Sequence, residues 1–170
     1  MVIQRFIRDV PDFPKAGIVF KDITPLLADP AGLRATIDGL LAGVEALEFD
    51  IVAGIESRGF LFGTVLADRL HKGFVPIRKP GKLPWKTASE SYDLEYGQDT
   101  LEVHTDAFHA GARVLLVDDL LATGGTMAAS ISLVRKVGGV PVGAAFVVEL
   151  AFLNGRERLG DLPLVSLTRF

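Results

Sequence analysis

The sequence predicts an α/β fold, a central, mainly parallel twisted sheet flanked by helices. Apolar runs without polar alternation recur at residues 50–55, 74–77, 114–117 and 140–150, the pattern of strands buried on both faces. Helical-period segments stand between several of them, at 30–44, 60–70 and 126–137. Polar groups gather after three of these strands, at 56–59, 78–82 and 118–126. In a parallel sheet the carboxyl ends share one edge, so all three clusters can converge on one ligand.

The chain has 170 residues, read as a single domain over 1–170 with ample core. Hydrophobic residues make up 49% and charged residues 23%, as in a globular protein. The net charge of −3 offers no general attraction to nucleic acid or to an anionic membrane. With no cysteine, disulfides, thiolate metal sites and a cysteine nucleophile are excluded. Arg5, Arg8 and Asp9 interrupt the first ten residues, which lack the apolar core of a signal peptide. The expected compartment is the cytoplasm.

Residues 2–8 predict a short amphipathic helix. Residues 11–27 hold Pro11, Pro14, Gly17 and Pro25 and read as an irregular extended arm, part of an N-terminal segment over 1–30. Its Phe13, Ile18, Val19 and Phe20 either cap a core or lie against a flat ligand. Asp29-Pro30 opens a helix, with Asp29 as N-cap and Pro30 at the first helical position. Leu33, Ile37, Leu40, Leu41 and Val44 follow as its core face. The strand at 50–55 ends in Glu56-Ser57-Arg58-Gly59, where Ser57 either caps the next helix or grips an anion, and Arg58 either pairs with Glu56 or does the same. Arg78, Lys79 and Lys82 place three cations within five residues, a solvated turn or a phosphate clamp. Residues 83–98 keep no helical or strand period and carry the only Trp and both Tyr residues, so they read as a long functional loop. Residues 101–104 alternate as the return strand of a hairpin. His71, His104 and His109 lack a third ligand at metal spacing and are assigned to structure. Asn154 to Arg158 is a polar turn before a final strand at 164–167.

The most informative stretch is 113–130. Val114 to Val117 form a buried strand, and Asp118 and Asp119 stand where that strand is expected to end. Thr123-Gly124-Gly125-Thr126 then leads into a helix, which places backbone N–H groups and hydroxyls at a helix N-terminus, a natural anion site. Neither a Walker-type loop nor a dinucleotide fingerprint is present.

The run V-L-L-V-D-D-L-L-A-T-G-G-T (114–126) resembles the phosphoribosyl pyrophosphate (PRPP) binding motif of type I phosphoribosyltransferases. Its ending, L-L-A-T-G-G-T-M, is similar to that of the adenine-specific members. S-Y-D-L-E-Y-G (91–97) resembles their flexible catalytic loop, expected over 80–102, and the arm G-I-V-F-K-D (17–22) resembles their N-terminal hood. The resemblance runs from Phe13 to Leu167. It implies the type I phosphoribosyltransferase fold and transfer of phosphoribosyl from PRPP to N9 of adenine, giving AMP and pyrophosphate in purine salvage.

The resemblance also implies roles. Ala122, Thr123, Gly124, Gly125 and Thr126 hold the 5′-phosphate, and Asp118 and Asp119 the ribose hydroxyls. Ser57, Arg58, Arg78, Lys79 and Lys82 take the pyrophosphate, with a cis Glu56–Ser57 peptide. Val19 hydrogen-bonds the base, Phe20 stacks on it, and Lys21 and Leu120 complete the adenine site, although the family often carries Arg where Lys21 stands. Glu95 exchanges a proton with the purine, and Tyr96 lies over the ribose end. Mg²⁺ is expected through PRPP and pyrophosphate with no direct protein ligand. A homodimer is expected, with no nucleic-acid or membrane partner. The alternatives are another purine base (xanthine, hypoxanthine or guanine) or a PRPP-sensing regulator that binds nucleic acid.

Overall fold

In a computed structural model the described residues are 3–93 and 98–170, so the candidates Glu95 and Tyr96 lie outside them. Contacts divide the chain into two compact units, 1–39 and 40–170.

The first unit is more regular than its prolines suggest. A 3-10 turn (Ile3–Phe6) replaces the expected amphipathic helix and is followed by strand β1 (Arg8–Pro11). β1 pairs antiparallel with β2 (Val19–Asp22). Cross-strand ion pairs, Arg8 to Asp22 at 2.6 Å and Lys21 to Asp9 at 2.7 Å, fix the register of this ribbon. The arm is therefore a hairpin, because its prolines sit at an edge-strand end and in the connecting loop, where no ladder N–H is needed. Helix α1 (Thr24–Ala28) follows, with Pro25 in its first turn. Helix α2 (Pro30–Val44) begins in this unit, capped as expected: the Gly32 N–H donates to the Asp29 carboxylate at 2.7 Å.

The second unit holds a five-stranded, wholly parallel sheet. Its members are β3 (Ile51–Ile55), β4 (Gly73–Ile77), β7 (Arg113–Leu121), β8 (Val140–Glu149) and β9 (Leu164–Arg169), in the order β4-β3-β7-β8-β9. Helices α3 (Arg58–Arg69) and α4 (Gly125–Lys136) connect within it. Val52, Ala53, Leu115, Leu116, Ala144 and Val147 are fully shut from solvent, as unbroken apolar runs require. α3 packs closely on β3: a Cβ at Gly54 or Gly63 would meet the Phe74 ring at 2.6 and 2.9 Å. α4 is closed off beyond Lys136 by Gly138 (φ 89°), with the Gly139 N–H reaching the Val134 carbonyl and the Gly138 N–H the Arg135 carbonyl.

Two expectations change here. β7 does not end at Val117 but continues through both aspartates to Leu121, because β8 goes on pairing with it as far as Leu121–Glu149. β3 pairs only as far as Val117, so one edge of β7 opens beyond that residue. Nor is 83–98 irregular throughout. Strands β5 (Thr87–Asp93) and β6 (Gln98–His104) form an antiparallel ribbon whose inner face carries Ala88, Tyr92, Leu101 and Val103 but also Glu90 and Asp99, and those two acids break the alternation that marks a strand.

Candidate active site

The open edge of β7 borders a cleft of about 420 Å³ in the second unit. Three connections converge there: the β3–α3 turn, the start of the β4–β5 connection, and the β7–α4 turn. Ser57, Arg58, Lys79, Asp118, Asp119, Leu120 and the whole 122–126 loop line it. Ser57 precedes α3 and follows a cis Glu56–Ser57 peptide, as the resemblance implied. At the opposite wall, Gly124 adopts φ 81° and α4 begins at Gly125. Among the described residues no side chain caps that helix, so its first N–H groups face an incoming anion. Gly124 has no room for a Cβ, which would lie 2.5 Å from the Gly155 carbonyl oxygen.

Charge is held in pairs. Asp119 is buried (5% exposed), and the Arg58 guanidinium sits 2.6 Å from its carboxylate. The alternative pairing of Arg58 with Glu56 is therefore not the one adopted. Burial pushes the Asp118 carboxyl well above the usual carboxylate range, and the neighbouring Asp119 charge pushes it further. Burial also raises Asp119, with Arg58 opposing. The Arg58 guanidinium thus favours the ionised form of Asp119 more than that of Asp118.

Glu56 organises the cation segment from behind. Its carboxylate accepts from Arg78 Nε at 3.1 Å and from the Lys79 backbone N–H at 2.9 Å. Burial works to raise Glu56, but these donors outweigh it and hold the carboxyl below its usual range. Arg78 also donates to the Lys82 carbonyl at 3.2 Å. Arg78 and Lys82 are thus not brought to the cleft wall, whereas Lys79 is. Val19, Phe20 and Lys21 lie on β2 in the other unit. Val19 is 48% exposed and Phe13 51%, so neither caps a core, and the Phe13 and Phe20 rings meet edge-on at 5.2 Å. Among the described residues no histidine lines the cleft, and His104 Nε2 accepts the Trp85 N–H at 3.3 Å.

Two polar lining residues of the ribbon were given no role by the sequence. Tyr92 and Asp99 are direct cross-strand partners on the β5–β6 ribbon. The Tyr92 hydroxyl donates to Asp99 at 3.2 Å and accepts from Thr126 Oγ1 at 3.2 Å. Asp99 also pairs with the Lys79 ammonium. Only strand register brings these groups together, and a segment read as irregular carries no register.

A family profile described as phosphoribosyl transferase domain matches residues 26–160. Adenine phosphoribosyltransferase of Thermobifida fusca is 55% identical over 98% of this chain and 94% of its own length. The chain belongs to the adenine phosphoribosyltransferase family. The Synechocystis member is likewise 55% identical, over the full length of both chains. Among solved structures of the family, the Thermoanaerobacter pseudethanolicus enzyme superposes with a TM-score of 0.96 at 53% identity, covering 99% of this chain and 98% of that one. The Saccharomyces cerevisiae enzyme, solved with an imino-altritol bisphosphate and adenine, gives 0.91 at 39% identity over 98% and 96%.

Proposed function

We propose that this chain transfers the phosphoribosyl group of PRPP to N9 of adenine, releasing pyrophosphate and giving AMP for purine salvage. The observation that carries this reading is one cleft with an anion grip on each side of a carboxylate pair. PRPP has that layout, with a 5′-phosphate, a diol and a 1′-pyrophosphate. The uncapped N–H groups of 123–126 and the Thr123 and Thr126 hydroxyls take the 5′-phosphate. Asp118 and Asp119 accept hydrogen bonds from the ribose hydroxyls. Arg58 and Lys79, with Ser57, hold the pyrophosphate. Arg78 supports them by fixing Glu56, and Lys82 serves as an outer cation.

Breaking the anomeric bond builds oxocarbenium character, and the carboxylate pair lies where that charge develops. Glu95 is assigned the removal of the purine proton and Tyr96 the ribose end, both on the family resemblance. Val19, Phe20, Lys21 and Leu120 are assigned to adenine on the family resemblance alone. Among the described residues no three His, Asp, Glu or Cys side chains cluster at metal-holding distance. The hard oxygens at the cleft fit Mg²⁺ held through PRPP itself, where it would neutralise the leaving pyrophosphate. We assign a homodimer, supported by the exposed apolar Leu61 and Val65 on α3, and a cytoplasmic location, with which the cysteine-free composition agrees. No helix among the described residues is long and apolar enough to cross a membrane.

The test is adenine plus PRPP, with and without Mg²⁺, following AMP and pyrophosphate. Mg²⁺-dependent AMP formation is expected, with guanine, hypoxanthine and xanthine inert. Glu95→Gln should lower turnover by about 10²–10⁴-fold. Turnover of a 6-oxopurine in preference to adenine would refute the base assignment.

A further inference from the structure

We propose that Asp99 is a built-in stand-in for pyrophosphate: it pairs with the Lys79 ammonium and competes with the incoming anion. The inference rests on the reading of Lys79 as a pyrophosphate grip. It goes beyond that reading by giving a role to a residue of the β5–β6 ribbon that no motif marks.

The geometry is specific. Asp99 lines the cleft and is bonded on every side. One carboxylate oxygen takes the Lys79 ammonium and the Tyr92 hydroxyl, the latter at 3.2 Å. The other takes the Thr100 N–H at 2.9 Å. Burial works to raise Asp99, but these donors hold it below the usual carboxylate range, so it is charged at neutral pH. Its position is enforced from two directions. Arg78 and Glu102 exchange backbone hydrogen bonds at 2.9 and 2.7 Å, which ties β6 to the chain just before Lys79. Tyr92 links Asp99 to Thr126 of the opposite anion loop. The cleft therefore carries a fixed negative charge at the point where a polyanion is to bind.

Such a charge does two things. It keeps a long, flexible lysine side chain inside the cleft, which limits the entropy lost when the anion arrives. It also repels that anion, so pyrophosphate binds less tightly than the bare cations allow and leaves more readily. Asp119 stands in the same relation to Arg58, but it also faces the ribose diol. Asp99 belongs to no other part of the reading, so its charge can be removed alone.

The experiment is titration calorimetry of magnesium pyrophosphate and, separately, AMP on wild-type protein, Asp99→Asn, Lys79→Gln and the double variant. Asparagine keeps the shape and, with its amide oxygen toward Tyr92, the acceptor for that hydroxyl; it removes the charge and gives up only the acceptor for the Thr100 N–H. Asp99→Asn is expected to bind pyrophosphate about tenfold tighter, as for relief of a like-charge contact in a partly solvated site. AMP affinity should stay unchanged. In the Lys79→Gln background the same substitution should gain at most about half of that factor on a logarithmic scale, because release of the lysine is lost while repulsion remains. Unchanged or weaker pyrophosphate binding by Asp99→Asn overturns the proposal, as does an equal gain in both backgrounds. A wild-type protein that binds AMP but not pyrophosphate overturns it too, while one that binds neither overturns the function reading first.

Discussion

Gly59 is the position where a single added carbon best tests how the cleft is built. It lies in the first turn of α3, directly against β7. A Cβ there would sit 2.6 Å from the Val117 carbonyl oxygen and 3.1 Å from Asp118 Oδ1. The first distance is roughly 0.8 Å short of the 3.4 Å at which ordinary contact begins, and its partner is backbone, which cannot rotate away. Gly59→Ala must therefore lift the start of α3, and with it Ser57 and Arg58, off the strand that carries Asp118 and Asp119. Overpacking of this kind costs about 1–3 kcal/mol. For a chain of this size, about 2 kcal/mol lowers Tm by roughly 4–8 °C. Activity should fall further than stability, because a shift near 1 Å at positioning groups costs about 10²-fold in rate. Differential scanning calorimetry and kcat/KM for PRPP, measured on the same preparation, make the comparison. A Gly59→Ala protein with unchanged Tm and unchanged kcat/KM would refute the account of how α3 and β7 set the site.

Two further expectations concern charge. The Asp118 carboxyl is raised in the folded chain, so the fold holds that proton more tightly than the unfolded chain does. It therefore subtracts stability as pH rises past the unfolded value, with the full penalty present above the folded one. Asp118→Asn should accordingly raise the Tm of the ligand-free protein at pH 7, with the gap closing toward about pH 4, while PRPP affinity measured by calorimetry falls. A lower Tm at pH 7 would contradict the burial argument. At the carboxyl end of β8, Glu149 is 2% exposed and held by Arg156 at 2.7 Å and Arg169 at 3.1 Å. These arginines depress its carboxyl, so its contribution is present above the unfolded value and is lost as pH falls through the folded one. Glu149→Gln should cost about 2 kcal/mol in urea unfolding at pH 7 and much less near pH 3, the arginines being partly solvated.

Much of this protein is written locally. The parallel strands appear as unbroken apolar runs because both faces of the sheet are covered, and Asp29-Pro30 and Gly138-Gly139 bracket helices through caps that depend on near neighbours alone. The 114–126 run announced the anion loop and carboxylate pair because strand, acids, turn and helix start are contiguous in the chain. Pairing was not local. That β7 runs on through two aspartates depends on β8, a strand reached only after α4. That Arg58 takes Asp119 rather than Glu56, and that Glu56 turns to Arg78 and Lys79, depends on which strands lie side by side. Tyr92 and Asp99 became part of the cleft through the register of a ribbon whose core-facing side, Ala88, Tyr92, Leu101 and Val103, is interrupted by the acids Glu90 and Asp99. Residue types and short-range order thus determined which chemistry the chain can perform. Tertiary structure decided which charge neutralises which, because partners in a cleft are chosen by distance in space and burial, quantities that separation along the chain does not encode.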